Sequence, residues 1–137
     1  MPNQAIRIVG LDPGLCRLGW GVLDWDGAHL AYAGCGTIAT AADMPMGTRL
    51  ARLFDELERT LAAWAPAEAA VEETFVNGNA RSALRLGQAR GVALLVPAKF
   101  GLPVAEYAPN TIKKTVTGAG HADKAQIRAM IRHLLPK

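Results

Sequence analysis

Only two cysteines, Cys16 and Cys35, occur in the 137 residues, too few for a disulfide framework and in keeping with a reducing compartment. No uninterrupted apolar run approaches the roughly 18 residues that cross a bilayer, which excludes a transmembrane helix. The opening Met1-Pro2-Asn3-Gln4-Ala5 has neither the basic nor the apolar region of a secretory signal. His29, His121 and His133 stand apart, and no Cys/His cluster has zinc spacing. Repeats, low-complexity tracts and linkers are missing too. These absences lead to the expectation of one small soluble domain over residues 1–137, cytoplasmic and without membrane contact.

Half of the residues are apolar and 20% are charged, an ordinary globular composition. A chain of this size buries about two-thirds of its unfolded surface, so a core forms without staples. The net charge of +3 is unevenly spread. Residues 1–68 hold five Lys/Arg against eight Asp/Glu, whereas residues 69–137 hold ten against four. A basic second half suits a polyanion-binding face. It also suits a solvated helix surface, since Lys and Arg prefer water whatever the function, so charge alone does not decide.

Hydropathy patterning divides the chain into short elements. Residues 5–11 are a mostly apolar run stopped by Asp12-Pro13-Gly14, the pattern of a buried strand and a sharp turn. Residues 18–25 and 29–38 are strands around the hairpin signal Asp26-Gly27, which makes the first three strands an antiparallel meander. Over residues 48–64, Leu50, Leu53, Phe54, Leu57 and Leu61 recur at helical spacing, with Asp43 as the expected N-cap and Pro45 in the first turn. A strand over 69–72, a helix over 80–99 interrupted near Pro97, and a strand over 103–107 follow. Asp123 and Gln126 form an acidic variant of the capping box for a last helix ending at Leu135. This order predicts an α/β fold with a mixed sheet covered by helices.

Two carboxylates stand out by position. Asp12 closes the first strand and Glu72 the fourth, and ligands of open α/β sheets bind at that carboxyl edge. On parallel neighbours about 4.8 Å apart, such acids could share a divalent ion. The bland reading makes Asp12 part of an Asx turn with Pro13-Gly14 and Glu72 a solvated strand end. Glu73 faces the other way by strand alternation. An oxygen-only ligand set selects Mg²⁺, or Mn²⁺, over softer metals.

Four ordered motifs then resemble one family. Gly10-Leu11-Asp12-Pro13-Gly14 with Gly19-Trp20-Gly21-Val22 looks like the opening of RuvC, the bacterial Holliday-junction endonuclease. Ala70-Val71-Glu72-Glu73-Thr74-Phe75 resembles that family's second acidic motif. The most specific stretch, Asn79-Ala80-Arg81-Ser82-Ala83-Leu84-Arg85-Leu86-Gly87-Gln88-Ala89-Arg90-Gly91, is similar to its signature helix. Tyr107-Ala108-Pro109, Lys113-Lys114-Thr115-Val116-Thr117-Gly118 and Lys124-Ala125-Gln126 are similar to its basic segment.

The resemblance implies a ribonuclease-H-like fold, with a five-stranded mixed sheet and helices on both faces. It implies a homodimer that cuts four-way DNA junctions with Mg²⁺ in recombination and repair, alongside the RuvA–RuvB branch-migration complex. Asp12 and Glu72 would be two of four catalytic, metal-holding carboxylates. Phe75 would stack on bases near the opened junction centre. Lys113 and Lys124 match basic positions near the scissile phosphate, and Lys114 is a further DNA-binding candidate. Ala83, Gly87 and Gly91 fall four apart on one helix. Glycine in a helix costs about 1 kcal/mol against alanine, so the stripe needs a packing reason. That reason is either the chain's own sheet or, as the family implies, the dimer interface.

Two departures qualify these expectations. Leu15-Cys16-Arg17-Leu18 stands where many relatives carry a hydroxyl residue in place of Leu15 or Leu18. The family also completes its metal site with two acids on a final helix, and the residues after Asp123 contain no acid. With that helix missing, this polypeptide is expected to cleave weakly or not at all, and part of the sheet is expected to lie uncovered. The alternative function is a junction-binding module of the same fold without cleavage. An actin-like or Hsp70-like ATPase opens with a similar Gly-x-Asp-x-Gly, but needs two lobes that 137 residues cannot hold.

Overall fold

A computed structural model describes residues 5–73 and 78–107. The elements in chain order are β1 (Ile6–Asp12), β2 (Arg17–Trp25), β3 (Leu30–Ala39), α1 (Met46–Trp64), β4 (Glu68–Glu72), α2 (Ala80–Lys99) and β5 (Val104–Tyr107). They build a five-stranded sheet of order β3-β2-β1-β4-β5. The first three strands form the expected antiparallel meander, while β1 pairs β4 and β4 pairs β5 in parallel. At the β2–β3 turn, Asp26 Oδ1 accepts hydrogen bonds from the backbone N–H of Ala28 (2.8 Å) and His29 (2.6 Å). Gly27 takes a φ of +98°, a value that residues with a Cβ rarely adopt.

Strand alternation sorts the sheet into two faces. Val9, Leu11, Leu18, Val22, Ile38, Ala69 and Val71 point to one of them. There they bury Leu53, Leu57 and Leu61 of α1 together with Ala89, Ala93 and Val96 of α2. Both described helices therefore cover the same face, and the expected last helix, over residues 123–135, lies outside the described residues. On the opposite face, Ile8, Leu23 and Ala70 are also buried.

Two helix boundaries differ from the sequence reading. Asp43 does not cap α1. Pro45 is the N-cap residue, without a side-chain hydrogen bond. Proline sets its own φ and holds the preceding residue extended, so the helix starts after it and Asp43 lies too far upstream to cap. Pro97 does not interrupt α2, which runs on to Lys99. In the last turn a proline removes a single backbone donor, and burial of Val96 and Pro97 offsets that loss. At the other end, Asn79 Oδ1 accepts from Ser82 N at 3.1 Å and caps the helix.

The far end of the sheet is tied by an ion pair and two tryptophans. Arg7 donates to both carboxylate oxygens of Asp24, at 2.8 and 3.0 Å, and to the carbonyl of Trp64 at 3.1 Å. The Trp64 ring lies over Gly34 and the Trp20 ring over Gly36, where an added Cβ would sit 2.6 and 2.7 Å from ring carbons. Glycine at those two positions is what seats the indoles on the edge strand β3.

Candidate functional site

The parallel register pairs Leu11 with Val71. Asp12 and Glu72, the next residue on each strand, therefore emerge side by side at the carboxyl edge. Val9, Leu11, Ala69 and Val71 belong to the helix-covered core. By alternation Asp12 and Glu72 both project from the opposite face, and Glu73, which is exposed, follows the strand end. Asp12 is exposed. Among the described residues its carboxylate has no hydrogen-bond or ion-pair partner, so the Asx-turn reading of Asp12 is not realised. Glu72 is half-buried.

Close packing shapes the turn that follows Asp12. Pro13 and Leu15 are buried, and a Cβ on Gly14 would meet the carbonyl oxygen of Arg17 at 2.3 Å. A Cβ on Gly19, which pairs with Asp12 across the β1–β2 ladder, would stand 3.7 Å from the Asp12 Cβ. Only a small residue leaves that side of the carboxylate open. Leu15 and Leu18, the two positions that depart from the family pattern, both point into the core. The hydroxyl next to this turn comes from Thr40 instead, whose Oγ1 donates to the carbonyl of Leu15 at 2.5 Å. Thr40 N also donates to the carbonyl of Cys16 at 3.0 Å.

Arg49, on the first turns of α1, is buried and reaches this corner. It donates from Nε to Thr40 Oγ1 at 3.0 Å and from Nη2 to Cys16 Sγ at 3.3 Å. Sequence reasoning passed over both Thr40 and Arg49. The usable signal was that residue 49 lies four before Leu53 and eight before Leu57, on the stripe that faces the sheet.

The small-residue stripe of α2 does not pack on the chain's own sheet. Among the described residues a Cβ built on Gly87 or Gly91 meets nothing within 4 Å, and Ala83 is half-buried. The stripe faces outward with Leu84 (66% exposed) and Leu95 (51% exposed) on the same side of the helix. Phe75, Lys113, Lys114 and Lys124 lie outside the described residues.

The donor chemistry fits a hard divalent cation: two carboxylates on neighbouring parallel strands, on one face, at an exposed edge. Among the described residues no group of three or more His, Cys, Asp or Glu gathers to hold a metal, so this pair is the ligand set they offer. The 3-2-1-4-5 mixed sheet is that of a ribonuclease-H-like α/β fold, with the acid pair at the carboxyl ends of β1 and β4.

Comparison with known proteins narrows that class. The family model described as crossover junction endodeoxyribonuclease RuvC matches residues 8–136. The chain is 61% identical over 135 residues to the RuvC of Rhodopseudomonas palustris strain TIE-1, covering 98% of this chain and 78% of that protein. It is 61% identical over 137 residues to the RuvC of Xanthobacter autotrophicus, covering 100% and 81%. Thermus thermophilus RuvC in complex with a Holliday junction substrate has a TM-score of 0.74 at 30% identity, covering 96% of this chain and 81% of that one. The yeast mitochondrial Holliday junction resolvase shares the fold, with a TM-score of 0.59 at 14% identity over 83% of this chain and 55% of that one. The chain belongs to the RuvC family of metal-dependent crossover junction endodeoxyribonucleases. It spans about four-fifths of the length of these curated relatives.

Proposed function

We propose that this domain resolves four-way DNA junctions by metal-dependent hydrolysis, with Asp12 and Glu72 as the carboxylates that hold the ions. The observation that carries the reading is the shared face and adjacent register of the two acids, with the Asp12 carboxylate bare among the described residues. Mg²⁺, or Mn²⁺, would there supply an activated water and neutralise charge on the leaving 3′ oxygen. The chain's own part is to fix two hard oxygen donors at an open edge. Gly19 keeps that edge accessible to a phosphodiester backbone. Phe75 stacks on bases at the junction centre, and Lys113, Lys124 and Lys114 neutralise phosphates beside the cut.

The outward stripe of α2 supports a homodimer. Glycine at 87 and 91 lowers helix stability without any packing gain among the described residues, whereas a two-fold partner helix approaching over Leu84, Gly91 and Leu95 would bury that surface. Two such sites related by symmetry suit two strands of opposite polarity. RuvA–RuvB would deliver the junction, in the cytoplasm. Among the described residues no helix is long and apolar enough to cross a membrane.

A second reading, a junction-binding domain with weak or no cleavage, is favoured by the ligand count among the described residues, where two acids would leave a Mg²⁺ ion with more water ligands and a weaker hold. A labelled four-way junction incubated with this chain, and with a chain of the relatives' full length, separates the two. Mg²⁺-dependent nicking lost in Asp12→Asn with binding retained supports the enzyme. Binding by both chains and nicking by neither supports the binding module. Nicking by Asp12→Asn at the unsubstituted rate refutes the metal role.

A further inference from the structure

The corner between α1 and the turn after Asp12 holds a charge with an unusual set of partners. Arg49 is 4% exposed, and among the described residues no carboxylate pairs with its guanidinium. Its two acceptors are the Thr40 hydroxyl and the Cys16 sulfur. Burying a cation without a counter-charge is unfavourable, and an apolar side chain of similar volume would serve simple packing better. What an apolar side chain cannot do is donate in two directions at once. The planar fork of arginine does so in a fixed geometry, whereas the three donors of a lysine ammonium rotate on a flexible stem.

Both acceptors lie on one path to the metal edge. Thr40 receives the Nε hydrogen bond of Arg49 and passes its own hydroxyl proton to the carbonyl of Leu15, three residues after Asp12. The Thr40 amide holds the next carbonyl, that of Cys16, while Nη2 of Arg49 holds the Cys16 sulfur. The turn at residues 12–17 is thus clamped from α1 and from the residue after β3, on the side away from the bare carboxylate. We infer that Arg49, acting through Thr40, is a positioning residue for Asp12: it sets the turn that fixes where the carboxylate stands. The inference rests on the reading that Asp12 holds a divalent ion. Loss of a group that orients a metal ligand typically weakens metal binding about 10- to 100-fold.

The test is a Mn²⁺ titration of the 137-residue chain followed by electron paramagnetic resonance, with urea unfolding of each protein alongside. Arg49→Met keeps volume and removes the donors; Thr40→Val keeps shape and removes the hydroxyl; Thr40→Ser keeps the hydroxyl; Asp12→Asn marks the site. The expected result is a Mn²⁺ affinity about tenfold weaker in Arg49→Met and Thr40→Val, and close to the unsubstituted value in Thr40→Ser. A purely structural role would shift the urea midpoints and leave the Mn²⁺ affinity of the folded protein alone, and that outcome overturns the inference. Should Arg49→Met fail to fold, the Thr40→Val and Thr40→Ser pair decides on the same criterion. Mn²⁺ binding that survives Asp12→Asn overturns instead the placement of the metal at Asp12.

Discussion

Replacing both Gly87 and Gly91 by alanine separates the two reasons a helix can carry glycine. Each Cβ would enter space clear of every described residue, so the added methyls meet no steric penalty there. Helix propensity then acts alone, at about 1 kcal/mol for each position, or about 2 kcal/mol for the pair. For a domain of this size that raises the melting temperature by roughly 6 °C. The same methyls stand on the outward stripe between Leu84 and Leu95, where a partner helix would have to approach closely. Association should therefore weaken as the monomer becomes more stable. Thermal unfolding followed at a concentration low enough to populate the monomer reads the first effect, and sedimentation velocity over a concentration series reads the second. A less stable monomer would show that the space is filled. A more stable monomer with an unchanged dimer constant would remove the stripe from the interface.

Three further outcomes follow from the same structure. Gly34→Ala and Gly36→Ala place a Cβ 2.6 and 2.7 Å from the Trp64 and Trp20 rings, so each should destabilise by about 1–3 kcal/mol and shift the tryptophan emission, in contrast to the α2 glycines. The Arg7 hydrogen bonds hold the Asp24 carboxyl below its ordinary value, so the pair stabilises the fold above the usual carboxylate range. That contribution fades as the pH falls through this range and below it, and Asp24→Asn should flatten the acid limb of stability measured by urea unfolding at pH values from neutral to about 3. Lys113→Ala should reduce the slope of log affinity against log salt for junction binding by about one unit, and an unchanged slope removes Lys113 from the phosphate contacts.

The hairpin at Asp26-Gly27, the heptad-like leucines of α1 and the apolar runs of β1 and β4 were all legible in the residues, because each is a local pattern that matches one backbone period. Asp12 and Glu72 were legible for a related reason: each closes an apolar run, and a charged residue at the end of a buried strand marks the sheet edge. The ends of α1 and α2 were less so. Proline can start a helix, as Pro45 does, or ride in a last turn, as Pro97 does, and the choice depends on what packs around it.

Sequence by itself determined the elements, their order and the positions where chemistry could sit, since periodicity and turn residues act over a few neighbours. Tertiary structure alone decided that Asp12 and Glu72 share a face, because the register of β1 on β4 is set by packing between segments some sixty residues apart in the chain. It also decided that glycine at 34 and 36 seats an indole while glycine at 87 and 91 faces open space. Arg49 shows the same division: an arginine in an amphipathic helix reads as solvated, and only the approach of Thr40 and Cys16 turns it into a buried clamp. Identical residue types take opposite roles when distant parts of the chain compete for the same space, and that competition has no local signature.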